Sequence, residues 1–183
     1  RPSGLIAINL DNGDRLGWAR VTNGKDHILL VTAHGRALRF REEDVRVMGR
    51  QAAGVTGIHL REGDQLISME IIEPDGSLLV VTQKGFGKQT PLGEYPVKGR
   101  ATGGVLTTDT KALDKIGPIV VARVVQPTDE VALISSNGIA LRLKVSAIST
   151  SGRGTRGVHL MGIENGDALA AIGRLPAEIE PPG

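Results

Sequence analysis

The sequence predicts an all-β fold, an array of four-stranded blades of about 50 residues each, and three repeated landmarks carry that expectation. First, the apolar runs Ile28–Val31, Leu78–Val81 and Val131–Ile134 are each followed by a short polar or small stretch and a glycine. Those glycines, Gly35, Gly85 and Gly138, are spaced by 50 and 53 residues. Second, the pattern G-R-x-x-x-G-V recurs in the same register at Gly49–Val55, Gly99–Val105 and Gly152–Val158. Third, Gly-Asp precedes an apolar stretch at Gly13-Asp14, Gly63-Asp64 and Gly166-Asp167. Gly117-Pro118 takes that place in the third unit, after a four-residue insertion around Lys111–Lys115.

Within the first unit, the four strands are expected at Leu16–Val21, Ile28–Thr32, Ala37–Arg41 and Val55–Leu60. The Ile28 run is apolar without alternation, as in a strand buried on both faces, whereas its neighbours alternate more. Ala33–Arg36, Gln83–Phe86 and Ser136–Ile139 read as tight hairpins, with the glycine supplying a positive φ at little steric cost. Asp14, Asp64 and Asp167 read as turn residues. No segment has a 3.6-residue period, so almost no helix is expected.

Segment boundaries follow from the repeat. Residues 1–13 read as the tail of a preceding blade, because Gly4–Leu10 aligns with Gly54–Leu60. Residues 14–63, 64–117 and 118–166 are blades, 167–175 the head strand of a following or shared blade, and 176–183 an acidic, Pro-rich tail. A sequence that starts and stops within a repeat predicts a longer parent chain or a blade shared by the two ends. One such sheet cannot bury a core alone, but stacked repeats can, and a radial, propeller-like arrangement protects their edges. With 2% aromatic residues, the core must be aliphatic.

Composition excludes several chemistries. There is no cysteine, hence no disulfide or thiolate. The four histidines, His27, His34, His59 and His159, are scattered without a ligand pair, so no metal or other cofactor is expected. No apolar run approaches the ~18 residues of a membrane span, and the reading is a cytoplasmic protein without membrane contact. No phosphate-binding loop motif is present, and no residues are expected to be catalytic.

Net charge is only +2, but its distribution follows the repeat. From hairpin to G-R motif, the first unit holds Arg36, Arg39, Arg41, Arg46 and Arg50 against Glu42, Glu43 and Asp44. The second holds Lys84, Lys88, Lys98 and Arg100 against Glu94, and the third holds Arg142, Lys144, Arg153 and Arg156 without an acid. These three stretches carry +2, +3 and +4, so the rest of the chain carries −7. Stacked blades would line the patches into one stripe, the footprint of a polyanion. Few aromatics disfavour single strands, which need stacking platforms, and leave duplex DNA contacted through its phosphates. The candidate contacts are Arg36, Arg39, Arg41, Arg50, Lys84, Lys88, Lys98, Arg100, Arg142, Lys144, Arg153 and Arg156. For the G-R arginines, Arg50, Arg100 and Arg153, bonding to loop carbonyls is an equal alternative. Lys84 and Lys88 flank an exposed-looking turn. Charge reversal of Lys84, Lys88, Lys98 and Arg100 is expected to weaken binding strongly without unfolding.

At this point the chain resembles the C-terminal domain of bacterial DNA gyrase, the domain that ends its A polypeptide, over nearly all of Gly4–Leu175. The resemblance rests on Gly63-Asp64, Gln83–Lys88, Glu94–Pro96, Lys98, Arg100–Thr102, Gly104-Val105, Val145–Ser149, Gly152-Arg153 and Gly157-Val158. It implies a β-pinwheel, a propeller-like ring whose blades exchange strands, that bends or wraps duplex DNA around a basic perimeter. It also implies partners, the rest of gyrase A and all of gyrase B, and a role in ATP-dependent supercoiling by a type IIA topoisomerase. By motif position, Lys84, Lys88, Lys98 and Arg100 fall on the perimeter loops. The family's heptapeptide of the form Q-R-R-G-G-K-G, which lies in its first blade, is absent, so the likeness is to the later blades. Cleavage by this enzyme class needs a tyrosine, and Tyr95, between Glu94 and Pro96, has no arginine beside it. Two alternatives remain, the equivalent C-terminal domain of topoisomerase IV and a protein-binding β-propeller scaffold.

Overall fold

The computed structural model describes residues 3–177. Its strands are β1 (His27–Thr32), β2 (Arg36–Arg41), β3 (Leu66–Ile71), β4 (Ser77–Thr82), β5 (Phe86–Pro91), β6 (Val105–Leu106), β7 (Ile119–Val125), β8 (Glu130–Ser135), β9 (Ala140–Lys144), β10 (Val158–His159) and β11 (Leu169–Leu175). They form three antiparallel sheets, ordered β3-β1-β2-β6, β7-β4-β5-β10 and β11-β8-β9. Each sheet is one blade, built on the predicted hairpin: β1–β2, β4–β5 or β8–β9. The hairpin glycines Gly35, Gly85 and Gly138 have φ of 86°, 85° and 85°.

Strand pairing departs from the expected unit. The first strand of each unit pairs with the hairpin of the unit before it: β3 with β1, β7 with β4, and β11 with β8. The G-V strands step back in the same way, β6 onto β2 and β10 onto β5. Leu16–Val21 and Val55–Leu60 therefore do not form strands in the blade of their own unit. No earlier hairpin lies among the described residues for them to pair with, and Val55–Leu60 instead makes an isolated parallel bridge from Ile58 to Thr102. The insertion also differs from a plain loop. Thr110–Ala112 is a 3-10 turn and Leu113–Ile116 a single α-helical turn, opened by Asp109, whose carboxylate accepts from the Lys111 amide.

The turn aspartates lock the exchange. Asp64 Oδ1 accepts the amides of Gln65 and of His34 in the preceding hairpin, at 2.8 and 2.9 Å. Asp167 Oδ1 accepts those of Ala168 and Asn137, at 2.8 and 3.0 Å. Apolar faces then stack between blades. Leu29, Val31 and Ala37 pack with Leu78, Val80, Ile119 and Val124, and Leu79, Val81 and Val121 pack with Val131, Leu133 and Leu169. The central strands β1 and β4 are buried along almost their whole length, whereas β8 is buried only at alternate positions.

Of the strands in different sheets, β3 packs on β7 and β7 on β11. These first strands form the inner edge, and β6 and β10 lie at the opposite, outer edge of their sheets. At the inner edge the Glu70 carboxylate lies 3.4 Å from Arg123 Nε and 3.8 Å from Arg20 Nη2. No helix among the described residues is long and apolar enough to cross a membrane.

Candidate nucleic-acid interface

The outer layer is made by three arms, the first at residues 45–54, the second at 95–104 and the third at 148–157, of which the second and third carry the exchange. The second arm runs along β2: Val97 bridges Arg39 in parallel, and the Lys98 amide donates to the Arg39 carbonyl at 2.8 Å. The third arm runs along β5 in the same way, with Thr150 bridging Gln89 and the Ser151 amide 2.9 Å from the Gln89 carbonyl. The second and third arms thus cover the second hairpin strand of the preceding blade, its outermost long strand.

The G-R arginines stitch one arm to the next. Arg100 on the second arm donates from Nε to the Asp44 carbonyl and from Nη1 to the Thr56 carbonyl, both at 2.9 Å, and so grips the first arm. Arg153 on the third arm donates to the Leu106 carbonyl at 3.1 Å, where the second arm joins β6. The backbone adds Ala101 N–H to Gly57 carbonyl at 2.6 Å and Asp109 N–H to Thr155 carbonyl at 3.3 Å. The carbonyl alternative read from the sequence describes both arginines. Arg50 is exposed.

A second set of candidates faces inward. Arg39 is half-buried. It donates from Nε to His27 Nδ1 at 3.0 Å, and from Nη1 to the carbonyls of Leu92 and Tyr95 at 3.2 and 3.4 Å. Burial lowers its pKa from the usual guanidinium value. Lys88 departs most from the expectation. It is 1% exposed, and its ammonium donates to the Gly152 carbonyl, the Arg153 carbonyl and Thr155 Oγ1 at 2.6, 2.7 and 3.2 Å. Desolvation lowers its pKa to about 8, against an opposing pull from Glu94. A buried ammonium with all three protons engaged has none left for a phosphate. Lys88 therefore belongs to the packing between blades. Reversing its charge, or that of Arg100, would break the arms, so neither residue suits the charge-reversal set.

The remaining candidates face outward. Arg41, Lys84, Lys98, Arg142, Lys144 and Arg156 are exposed and Arg36 is half-buried. Lys84 Nζ touches the Asp114 carbonyl of the inserted turn at 2.8 Å, and Arg142 pairs with Glu130. Burial lowers the Arg36 pKa, assisted by Arg61. Tyr95 is 1% exposed with its hydroxyl 2.6 Å from Thr107 Oγ1, and burial raises its pKa. No group of three or more metal-ligating side chains exists among the described residues.

Sequence reasoning missed the clasp residues Gln89 and Thr155. One signal was available for Lys88: in the repeat register it stands where Leu38 and Leu141 stand, opposite Val80, Leu30 and Leu133 respectively. That register marks an inward position.

The fold and its outer layer define a class: strand-exchanged blades whose arms overlap along one edge and carry Lys98, Arg100, Arg153 and Arg156. Comparison with known proteins gives the family. The family described as "DNA gyrase C-terminal domain, beta-propeller" matches residues 1–23, 26–73, 76–121 and 129–176, and the chain belongs to it. The DNA gyrase A protein of Pseudomonas aeruginosa is 41% identical over 175 residues, covering 96% of this chain and 19% of that protein. The gyrase A protein of Escherichia coli K12 is 38% identical over 180 residues, covering 98% and 20%. The chain thus spans about a fifth of the length of these relatives. Among solved structures, a gyrase A C-terminal domain superposes with TM-score 0.86 at 27% identity, covering 94% of this chain and 58% of that one. A C-terminal domain of DNA topoisomerase IV superposes with TM-score 0.85 at 32% identity, covering 92% and 52%.

Proposed function

We propose that the chain binds duplex DNA without reading its sequence and bends it along the outer edge of its blades. In this reading it is the accessory domain of a DNA gyrase, in the cytoplasm with the rest of gyrase A and with gyrase B. One observation carries the proposal. Arg100 and Arg153 tie each arm to the one before it, so the arms form a single outer layer. The cations on that layer and its strands, Arg41, Arg50, Lys84, Lys98, Arg142, Lys144 and Arg156, then face the same polyanion. Arg39, Lys88, Arg100 and Arg153 hold the layer together.

Bending is energetically reasonable. Curving 20–30 base pairs by 40–90° costs about 1–6 kcal/mol. Non-specific binding at physiological salt supplies roughly 5–8 kcal/mol. A surface that neutralises about six phosphates gives a log–log salt slope near −5.

The test is a donor–acceptor pair at the ends of a 30-base-pair duplex. Binding at low salt should shorten the end-to-end distance, and added salt should reverse it. A duplex that binds but stays straight leaves binding without bending, and no binding at low salt leaves the scaffold reading. The topoisomerase IV neighbour, at 32% identity, favours that enzyme's equivalent domain as a second reading. Supercoiling by the parent enzyme separates the two.

A further inference from the structure

Lys88 is a buried charge in a place that does not require one. The outer strands of the other two blades put Leu38 and Leu141 at the same register position. An ammonium removed from water is costly unless it is fully bonded. Lys88 meets that condition through one turn of the third arm: Gly152, Arg153 and Thr155 supply its three acceptors. Two consecutive carbonyls converge on one point, a backbone arrangement that needs a cation or several donors at the focus. The second arm crosses Leu38, which offers no donor.

The neighbours of Lys88 hold the same arm, Thr90 and Glu94 near this turn and Gln89 at the 3-10 turn that opens it. Thr90 Oγ1 donates to the Ser151 carbonyl at 2.8 Å. Gln89 Nε2 donates to the Val145 and Ile148 carbonyls at 2.9 and 2.8 Å. Glu94 Oε2 accepts the Arg153 amide at 3.3 Å. The turn bears Arg153 and the exposed Arg156 on the outer layer.

We propose that Lys88 is a positioning residue of the DNA-binding edge: it does not touch DNA, but its buried ammonium fixes the turn 151–156 so that the exposed cation of that turn, Arg156, is presented to the phosphates. This rests on the proposed function.

The charged and titratable groups around Lys88 are few. Glu94 faces it from the 3-10 turn that follows β5 and raises its pKa, Arg153 on the arm lowers it, and desolvation is the largest influence, leaving it at about 8. β4 contributes no ionisable side chain, and β10 contributes His159, which packs edge-on against Phe86. A phosphate brought to the arm favours the charged ammonium. DNA binding above pH 8 therefore takes up a proton, and affinity falls as pH rises through that value. Lysines and arginines with ordinary pKa values stay charged at pH 9 and do not follow.

The experiment compares the 183-residue wild-type chain with Lys88→Met and Lys88→Leu, the latter copying the other blades. A 30-base-pair duplex is the probe, at pH 7 and pH 9, with carbon NMR of the Gly154 Cα. At pH 7 both variants should bind about tenfold more weakly, with a salt slope shallower by about one. Their Gly154 Cα resonance should shift from its wild-type position, because the turn loses its anchor. Wild-type affinity should drop severalfold between pH 7 and pH 9, and the variants' affinity should not. Wild-type affinity and pH profile in the variants, or an unchanged Gly154, would overturn the assignment. A loosened turn with unchanged DNA affinity would overturn it as well. Should both variants fail to fold, the wild type alone decides, because its Gly154 resonance must titrate near pH 8 together with DNA affinity. If the wild type does not bind duplex DNA at low salt, the proposed function falls, and the positioning role with it. Gly154 then still shows whether Lys88 holds the turn.

Discussion

Arg39 and Gln89 occupy the same place in successive blades, opposite Leu29 and Leu79, and each donates to two carbonyls of the 3-10 turn that opens the next arm. Arg39 reaches Leu92 and Tyr95, and Gln89 reaches Val145 and Ile148. The acceptors are spaced alike in the two turns, so one clasp is made by two chemistries. In the third blade the same register position is Arg142, which pairs with Glu130.

The clasp should be worth more where it is drier. Gln89 is 7% exposed, so Gln89→Ala strands two carbonyls with little access to water. A loss of about 1–3 kcal/mol in urea unfolding is expected. Arg39 is itself more exposed than Gln89, so Arg39→Ala should let water reach its carbonyls and cost less. Equal losses, or a larger one at Arg39, would show that burial does not set the clasp's strength.

Two glycines let the arms touch the outer strands. A Cβ on Gly104 would stand 2.3 Å from the Ala37 carbonyl oxygen, at φ +67°. One on Gly157 would stand 2.5 Å from the Gly87 oxygen, at φ +80°. Gly104→Ala and Gly157→Ala should each destabilise the chain by about 2 kcal/mol or more, by clash and by φ together. Gly103→Ala, with open space around its Cβ, should stay within about 0.5 kcal/mol. Denaturant midpoints for the three variants provide the check.

Acid should weaken the attachment of β11. Arg174 on that strand pairs with Glu73 and donates from Nε to Asp129 Oδ2 at 2.7 Å. The Arg174 hydrogen bond holds the Glu73 carboxyl below its ordinary value. A depressed carboxyl binds fewer protons in the folded chain than in the unfolded one. Its stabilisation is complete above the unfolded value near 4.5 and is lost as pH falls through the folded value. Thermal melts from pH 7 to pH 3 should show that loss, and Arg174→Met should lose less over the same range. Parallel curves would remove Glu73 as its source.

The hairpins were legible because an uninterrupted apolar run ending in a glycine has few other solutions. Strand exchange was not. The period of Leu66–Ile71 says that it is a strand, but nothing local says that it pairs with β1 of the preceding unit. For the same reason Leu16–Val21 reads as a strand. The inserted turn at 110–116 is too short for a helical period to show. Among the cations, side chains sharing a segment separated by strand register. Lys98 lies on the outer layer, while Lys88, two residues before Thr90 on β5, lies under it. The leucines at 38 and 141 marked that difference, but a lysine's charge argued for solvent. Arg100 and Arg153 could not be placed from sequence, since the carbonyls they hold belong to other arms.

The central claim is that the exposed cations of successive arms and outer strands act as one surface. Its most direct test is the salt dependence of duplex binding with charge removed piecewise: Lys98→Gln on the second arm, Arg156→Gln on the third, Lys144→Gln at the end of β9, and all three together. Each single change should make the slope shallower by about one and the triple change by about three, with folding unchanged. A triple variant that keeps the wild-type slope would contradict the account, as would a slope set by one of the three residues alone.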